Sequence, residues 1–359
     1  MADDTIVFFW ADHGSGYPRT ETYVYDDGLR VPLIVRFPDK YQHLAPSRPG
    51  TAVDDLVMHM DLRPSMLSLA GMPGPEHFQG RVLFGPQKNQ PRDYVCSARD
   101  RLDNCNEVIR TIRTEKYRYI RDFLPHRPYA PLYPDGGFFR EVPPEGPSAR
   151  DFWETSCLLW EQKIHDPDGV FLMPISEDFK QYLVRQDSKS CEELHDIEND
   201  PEEIHNLANA PEFHPIKEQL RKKHFDRMVE THDLRHLDET EIVARTVVER
   251  GSVNYEVGVH CDNIERVLET ADLARLGEKG KRGLVECLDD PDSVVRYWAV
   301  TGLMSFDWND GTTQKLVDLL EGESIAVSPA AADALARTGQ AAITTSALCR
   351  VLEIDLHWG

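Results

Sequence analysis

The stretch Thr5–Pro38, TIVFFWADHGSGYPRTETYVYDDGLRVPLIVRFP, governs how the rest of the chain is read. Thr5 to Ala11 is a continuous apolar, β-rich run. Runs of that kind are the pattern of a strand buried on both faces of a parallel sheet. The run stops abruptly at Asp12-His13-Gly14. A buried parallel strand delivers the residues after it to the carboxyl edge of the sheet, where ligand sites of open α/β folds lie. A carboxylate beside an imidazole makes a reasonable half of a metal site there, and Gly14 lets the backbone turn away at once. Taken alone, the same three residues also suit a hydrogen-bonded turn. Val31 to Phe37 repeats the apolar pattern after the turn-like Asp26-Asp27-Gly28.

Outward from this stretch, DLRPSMLSLAG (Asp61–Gly71) reads as a short helix that Asp61 can cap and Gly71 can end. Tyr94–Ala98, Glu107–Thr114 and Tyr117–Arg121 are expected strands, the last two forming a hairpin of an antiparallel sheet. Prolines and glycines then crowd 122–147, an irregular surface segment of the kind that carries binding residues. Helical patterns follow over 151–165 and 176–185. CEELHDIENDPEEIHNLA (Cys191–Ala208) has strand character and then a turn, and helices are expected over 212–231 and 239–250.

The end of the chain repeats itself. LVECLDDPDSVVRYWAVTGL (Leu284–Leu303) falls on LVDLLEGESIAVSPAAADAL (Leu316–Leu335) with a shift of 32 residues. Leu284, Val285, Leu288, Val295, Ala299 and Leu303 then match Leu316, Val317, Leu320, Val327, Ala331 and Leu335. Two helices per unit with an Asp-Pro turn between them are the sign of an α-solenoid, and DDPDSVVRYWA resembles a HEAT repeat. The blander reading is an ordinary pair of amphipathic helices. The chain stops inside what a third unit would be, so the tail is expected to be truncated.

Composition removes some function classes. With 359 residues the chain can bury a sizeable core in two or three domains. The net charge of -22 argues against nucleic acid and against anionic membranes as partners. An anionic substrate needs a local cationic or metal site to overcome that background. No apolar run is long enough to span a bilayer. Seven scattered cysteines without a Cys-x-x-Cys pair speak against a structural zinc site or a disulfide framework and leave the compartment open.

TIVFFWADHGSG followed by YDDGLRVPLIVRFP resembles the second half of the catalytic domain of the sulfatase family, within the alkaline-phosphatase superfamily. The resemblance continues through MDLRPSMLSLAGMPGPEHFQGR (Met60–Arg81), VIRTIRTEKYRYIRDF (Val108–Phe123) and EELHDIENDPEEIHNLA (Glu192–Ala208), and PHRPY points to the heparan-sulfamidase-like branch. The fold class this implies is α/β: the C-terminal part of an alkaline-phosphatase-like sheet sandwiched by helices, then a small antiparallel-sheet subdomain, then an all-α HEAT-like solenoid. The divisions are 1–90 for the core, 91–235 for the subdomain, 236–263 for a helical linker and 264–359 for the repeats.

The resemblance implies hydrolysis of sulfate esters or an N-sulfate, on a sulfated small molecule or glycan. In such enzymes a cation and basic groups neutralise charge growing on the sulfate oxygens, and a formylglycine hydrate attacks sulfur. Asp12 and His13 fall where the family's second pair of metal ligands lies, with Ca2+ as the expected ion and Mn2+ or Zn2+ as the alternative that His13 favours. The nucleophile signature that would precede this point is absent from the chain. Cys96 lacks the required Pro, lies after Asp12-His13, and reads as a buried strand cysteine. The chain alone is therefore expected to be inactive.

The family's sulfate-binding Lys is replaced by Glu21, which would repel sulfate, and Arg19 is the nearest cation that could substitute. Arg30, in the Gly-x-Arg-Val-Pro position, is expected to scaffold. His126 and Arg127 in the Pro-rich loop could grip a sulfated or carboxylated sugar, or merely anchor the loop. His59 and His195 read as structural. Two further readings stay open: a phosphoester or phosphonate hydrolase of the same superfamily, and a non-catalytic scaffold presenting the repeats to a protein partner.

Overall fold

The structure, a computed structural model, describes residues 2–14, 23–102, 105–127, 189–245, 261–321, 324–339, 344, 345 and 349. The expected helices over 151–165 and 176–185, and most of the Pro-rich segment, lie outside the described residues.

Strand β1 (Val7–Trp10) pairs with β2 (Leu33–Arg36) in a two-stranded sheet, antiparallel in the register Val7↔Arg36, Phe8↔Val35, Phe9↔Ile34 and Trp10↔Leu33. This corrects the expected parallel strand buried on both faces. An apolar run specifies burial but not direction, and here the chain doubles back through the Asp26–Leu29 turn. Phe8 and Phe37 meet the edge of Phe84 on one face, at 5.9 and 5.6 Å between centroids. On the other face Phe9 and Ile34 stay about three-fifths exposed, at 60% and 61%. Among the described residues no third strand joins this sheet.

Helix α1 (Leu62–Leu69) ends as expected at Gly71, whose φ of +72° suits glycine. Asp61 does not cap it. Its buried carboxylate instead accepts the Met58 and Arg81 backbone N–H groups, at 2.7 and 2.8 Å, and Arg92 Nη2 at 2.6 Å. It ties the two ends of the α1 segment together.

Strands β3 (Val95–Leu102), β4 (Cys105–Arg113), β5 (Tyr117–Asp122) and β6 (Glu192–Asp196) form an antiparallel sheet in that order. Side chains alternate between its faces. Ile109 and Ile120 pack against Tyr23, Val24 and Tyr25 on one face. Ile112, Tyr119 and Leu194 pack with Leu220 of α2 (His214–Glu230) on the other. Four arginines sit directly across the β4–β5 hairpin in two pairs, Arg113↔Arg118 and Arg110↔Arg121.

Helices α3 (Glu239–Arg245), α4 (Ile264–Asp272), α5 (Glu278–Cys287), α6 (Ser293–Leu303), α7 (Asp310–Leu319) and α8 (Val327–Arg337) complete the described chain. Five of the six residue pairs matched by the 32-residue shift are buried in both members: Leu284 with Leu316, Leu288 with Leu320, Val295 with Val327, Ala299 with Ala331, and Leu303 with Leu335. Val285 and Val317 are partly buried against the same core. That core runs without a break from Val108 and Phe123 in the sheet, through Leu237 and Ile242, to Leu335. The coarse expectation of a mixed α/β chain with an antiparallel sheet and many helices holds.

Candidate functional site

Asp12 and His13 stand just beyond β1, with the Asp12 side chain 89% exposed and that of His13 half exposed. Two hydrogen bonds define what the pair can do. His13 Nδ1–H donates to the Gly14 carbonyl at 2.8 Å, so a neutral ring carries its proton on Nδ1, the tautomer suited to a metal. Asp12 Oδ1 accepts the His13 N–H at 3.1 Å and lies 3.8 Å from Nε2. One hard and one borderline donor thus stand 3.8 Å apart, donor types that suit a divalent cation. Among the described residues no group of three or more His, Cys, Asp or Glu is placed to hold an ion.

The backbone around the pair is fixed from two sides. His59 Nε2–H donates to the Ala11 carbonyl at 3.0 Å, so this exposed turn histidine steadies the end of β1. Gly14 N–H donates to the Gly28 carbonyl at 3.0 Å. The approach is so close that a Cβ on Gly14 would stand 1.9 Å from the Asp27 carbonyl oxygen. A cleft of about 530 Å³ opens beside the pair, lined by His13, Arg30, Val31 and Ile197 among others. Exposed Arg30 lines this cleft and also borders a larger groove of about 1420 Å³ along β2 and the α1 segment.

Of the other expected site residues, Arg19 lies outside the described residues, as does Glu21. His126 and Arg127 follow β5 and line neither opening. Burial, helped by the charge of Arg127, holds the His126 imidazole near a pKa of about 4, so at neutral pH it is uncharged. Cys96 lies on β3, and burial pushes its thiol up to about 11, which keeps it protonated. His195 is fully buried, accepts no solvent, and bonds Glu193 at 2.9 Å.

The residues beneath the site escaped the sequence reading. Asp26 is buried between two arginines: Arg113 grips it with Nε at 3.0 Å and Nη2 at 3.1 Å, and Arg118 Nη2 holds the same carboxylate. Despite desolvation, which raises its pKa, these cations hold its carboxyl below the usual range. Glu203 pairs with Arg118 Nε at 2.7 Å and accepts the Asp26 backbone N–H. The signal was legible in RTEKYR: two arginines at equal distance from a hairpin turn face each other, and like charges directly opposite need an anion between them.

An acid-imidazole pair at the end of an apolar strand in a mixed α/β chain is the geometry against which the comparisons are set. The comparisons give the family. Residues 1–72 match the sulfatase family model. An ulvan-active sulfatase of Formosa agariphila is 32% identical over 243 residues, covering 68% of this chain and 36% of the relative. Human N-sulphoglucosamine sulphohydrolase is 26% identical over 247 residues, covering 65% of this chain and 43% of the relative. A solved 2-O glycosaminoglycan sulfatase is 21% identical with a TM-score of 0.42, covering 66% of this chain and 39% of that one. The chain carries a sulfatase-family segment and is a homologue of sulfatases. It spans 36% and 43% of the lengths of those two relatives.

Proposed function

We propose that this chain is the part of a carbohydrate sulfatase that supplies the Asp12–His13 half of the metal site. The carrying observation is the His13 tautomer: Nδ1–H is committed to the Gly14 carbonyl, and Nε2 faces Asp12 Oδ1. A divalent cation, with Ca2+ the first candidate and Mn2+ or Zn2+ the alternative, would supply charge neutralisation to the sulfate oxygens. Asp12 and His13 would hold it, and Arg30 would add a cationic wall. Arg19, His126 and Arg127 are proposed contacts to a sulfated or carboxylated sugar.

We further read α5–α8 as two HEAT-like units able to bind a protein partner, supported by the buried matched positions. The divisions at 1–90, 91–235, 236–263 and 264–359 follow the same reading.

The test uses the natural gene product at its full length. It is expected to release sulfate from sulfated oligosaccharides, to spare phosphate esters, and to lose activity about a hundredfold or more in Asp12→Ala. Turnover of phosphate esters alone would move the protein to a sister activity of the superfamily. No turnover, with partner binding unchanged in Asp12→Ala, would make it a scaffold.

A further inference from the structure

We infer that Asp26, clamped by Arg113 and Arg118, is a positioning residue for the Asp12–His13 turn. This role rests on the metal-site reading of that pair, but the geometry stands by itself. Asp26 opens the single helical turn Asp26–Leu29, in which Arg30 N–H returns to the Asp26 carbonyl at 2.7 Å and Gly28 N–H to Tyr25 at 3.0 Å. The far side of this turn presents the Gly28 carbonyl to Gly14 N–H. Gly14 in turn offers the carbonyl that fixes the His13 tautomer. Two hydrogen bonds, Gly14 N–H to the Gly28 carbonyl and His13 Nδ1–H to the Gly14 carbonyl, therefore link the turn that Asp26 opens to an exposed imidazole.

The mount is stiff because it is anchored in the sheet. Arg118 is 1% exposed and also donates from Nη1 to the Val24 carbonyl at 3.0 Å. Tyr25 OH reaches Glu193 at 3.1 Å, and Glu193 bonds buried His195. Glu203 holds the Asp26 N–H from a left-handed backbone, φ +54°, a conformation costly for a residue with a Cβ and retained only where surroundings impose it. A rigid support of this kind is what a pair of donors needs, since a metal site tolerates little displacement. With Asp26 neutralised, Arg113 and Arg118 repel one another, the turn loosens, and Gly28 releases Gly14.

The decisive readouts need neither metal nor substrate. Amide hydrogen exchange is measured at Gly14 and across Tyr23–Arg30, and the His13 tautomer is read from its ring nitrogen shifts. Asp26→Asn is expected to speed exchange at Gly14 about tenfold or more and to mix the two His13 tautomers, with α6 exchange unchanged. Asp26→Glu should restore part of both. Should Asp26→Asn not fold, Arg113→Lys keeps the charge but removes the two-pronged grip, and an intermediate increase is expected. Unchanged Gly14 exchange and a preserved Nδ1–H tautomer in a variant whose 23–30 segment exchanges faster would overturn the proposal, as would a uniform rise across the chain. A natural protein that proved not to cleave sulfate would leave this result untouched.

Discussion

Replacing Trp298 by Ala tests whether the helical end and the sheet are one cooperative body. Trp298 on α6 is 1% exposed, with its ring 6.0 Å from Phe123 at the end of β5 and 5.6 Å from His236. Its Nε1–H donates to the His236 carbonyl at 2.7 Å. Loss of a buried ring of this size costs about 3–5 kcal/mol, and the orphaned carbonyl adds about 1–3 kcal/mol. A Trp298→Phe variant keeps the aromatic contact and loses the hydrogen bond, so about 1–3 kcal/mol of the penalty should remain. The assay is urea unfolding followed by circular dichroism, together with hydrogen exchange over Ile109–Leu124. Faster exchange in the β4–β5 hairpin is expected for Trp298→Ala. A penalty under about 1 kcal/mol, or exchange confined to α4–α8, would show that the helices ride on the sheet without supporting it.

Stability should peak near the ordinary histidine pKa and fall on both sides. Burial holds the His126 and His224 imidazoles at about 4 and about 3 and lowers that of buried His236 as well, so below pH 6.5 the unfolded chain binds protons that the fold refuses. Stability then drops as pH falls, and His126 and His224 together contribute about 2.7 kcal/mol per pH unit between about 6 and 5. His195 has the opposite sign: Asp200 and Glu193 overcome burial and lift it to about 9. Its contribution is complete below pH 6.5 and disappears as pH rises through 9, at about 1.4 kcal/mol per unit. Urea midpoints across pH 4.5–9.5 check this, and an acid limb unaltered in the double variant His126→Gln/His224→Gln would refute the assignment. Leu284→Ala and Leu316→Ala, at matched and equally buried positions, should each cost about 3–5 kcal/mol by urea unfolding; a neutral Leu316→Ala would break the equivalence of the two units.

Local pattern gave the antiparallel sheet and the helices because period and turn residues act over a few positions. β4, β5, the Gly71 helix end and the 32-residue match were all visible in that way. The direction of β1 was not, since its pairing depends on a partner 23 or more residues away. Asp12 and His13 stand out in the sequence because they interrupt an apolar run. Asp26 and Glu203 were missed because each reads as an ordinary surface charge until the fold brings together residues separated by 92 and 177 positions.

The hairpin arginines explain why those distant charges belong to one design. Arg113 and Arg118 are bridged by Asp26 on the face toward the Asp12–His13 turn. On the opposite face Arg110 takes Asp233, at 2.6 Å, and Asp100, at 2.7 Å, while Arg121 takes Asp272 of α4 at 3.0 Å. Each cross-strand pair would repel if left alone, and each buried guanidinium would carry several kcal/mol of desolvation. The hairpin is therefore stable only when the turn below the candidate site and the helices behind it are both docked. A lysine at Arg113 or Arg110 would keep the charge but lose the grip on Asp26 or Asp233, which uses two nitrogens of one planar group. A strand pair that demands carboxylates on both faces makes the placement of the Asp12–His13 turn depend on the same sheet that seats the helical end.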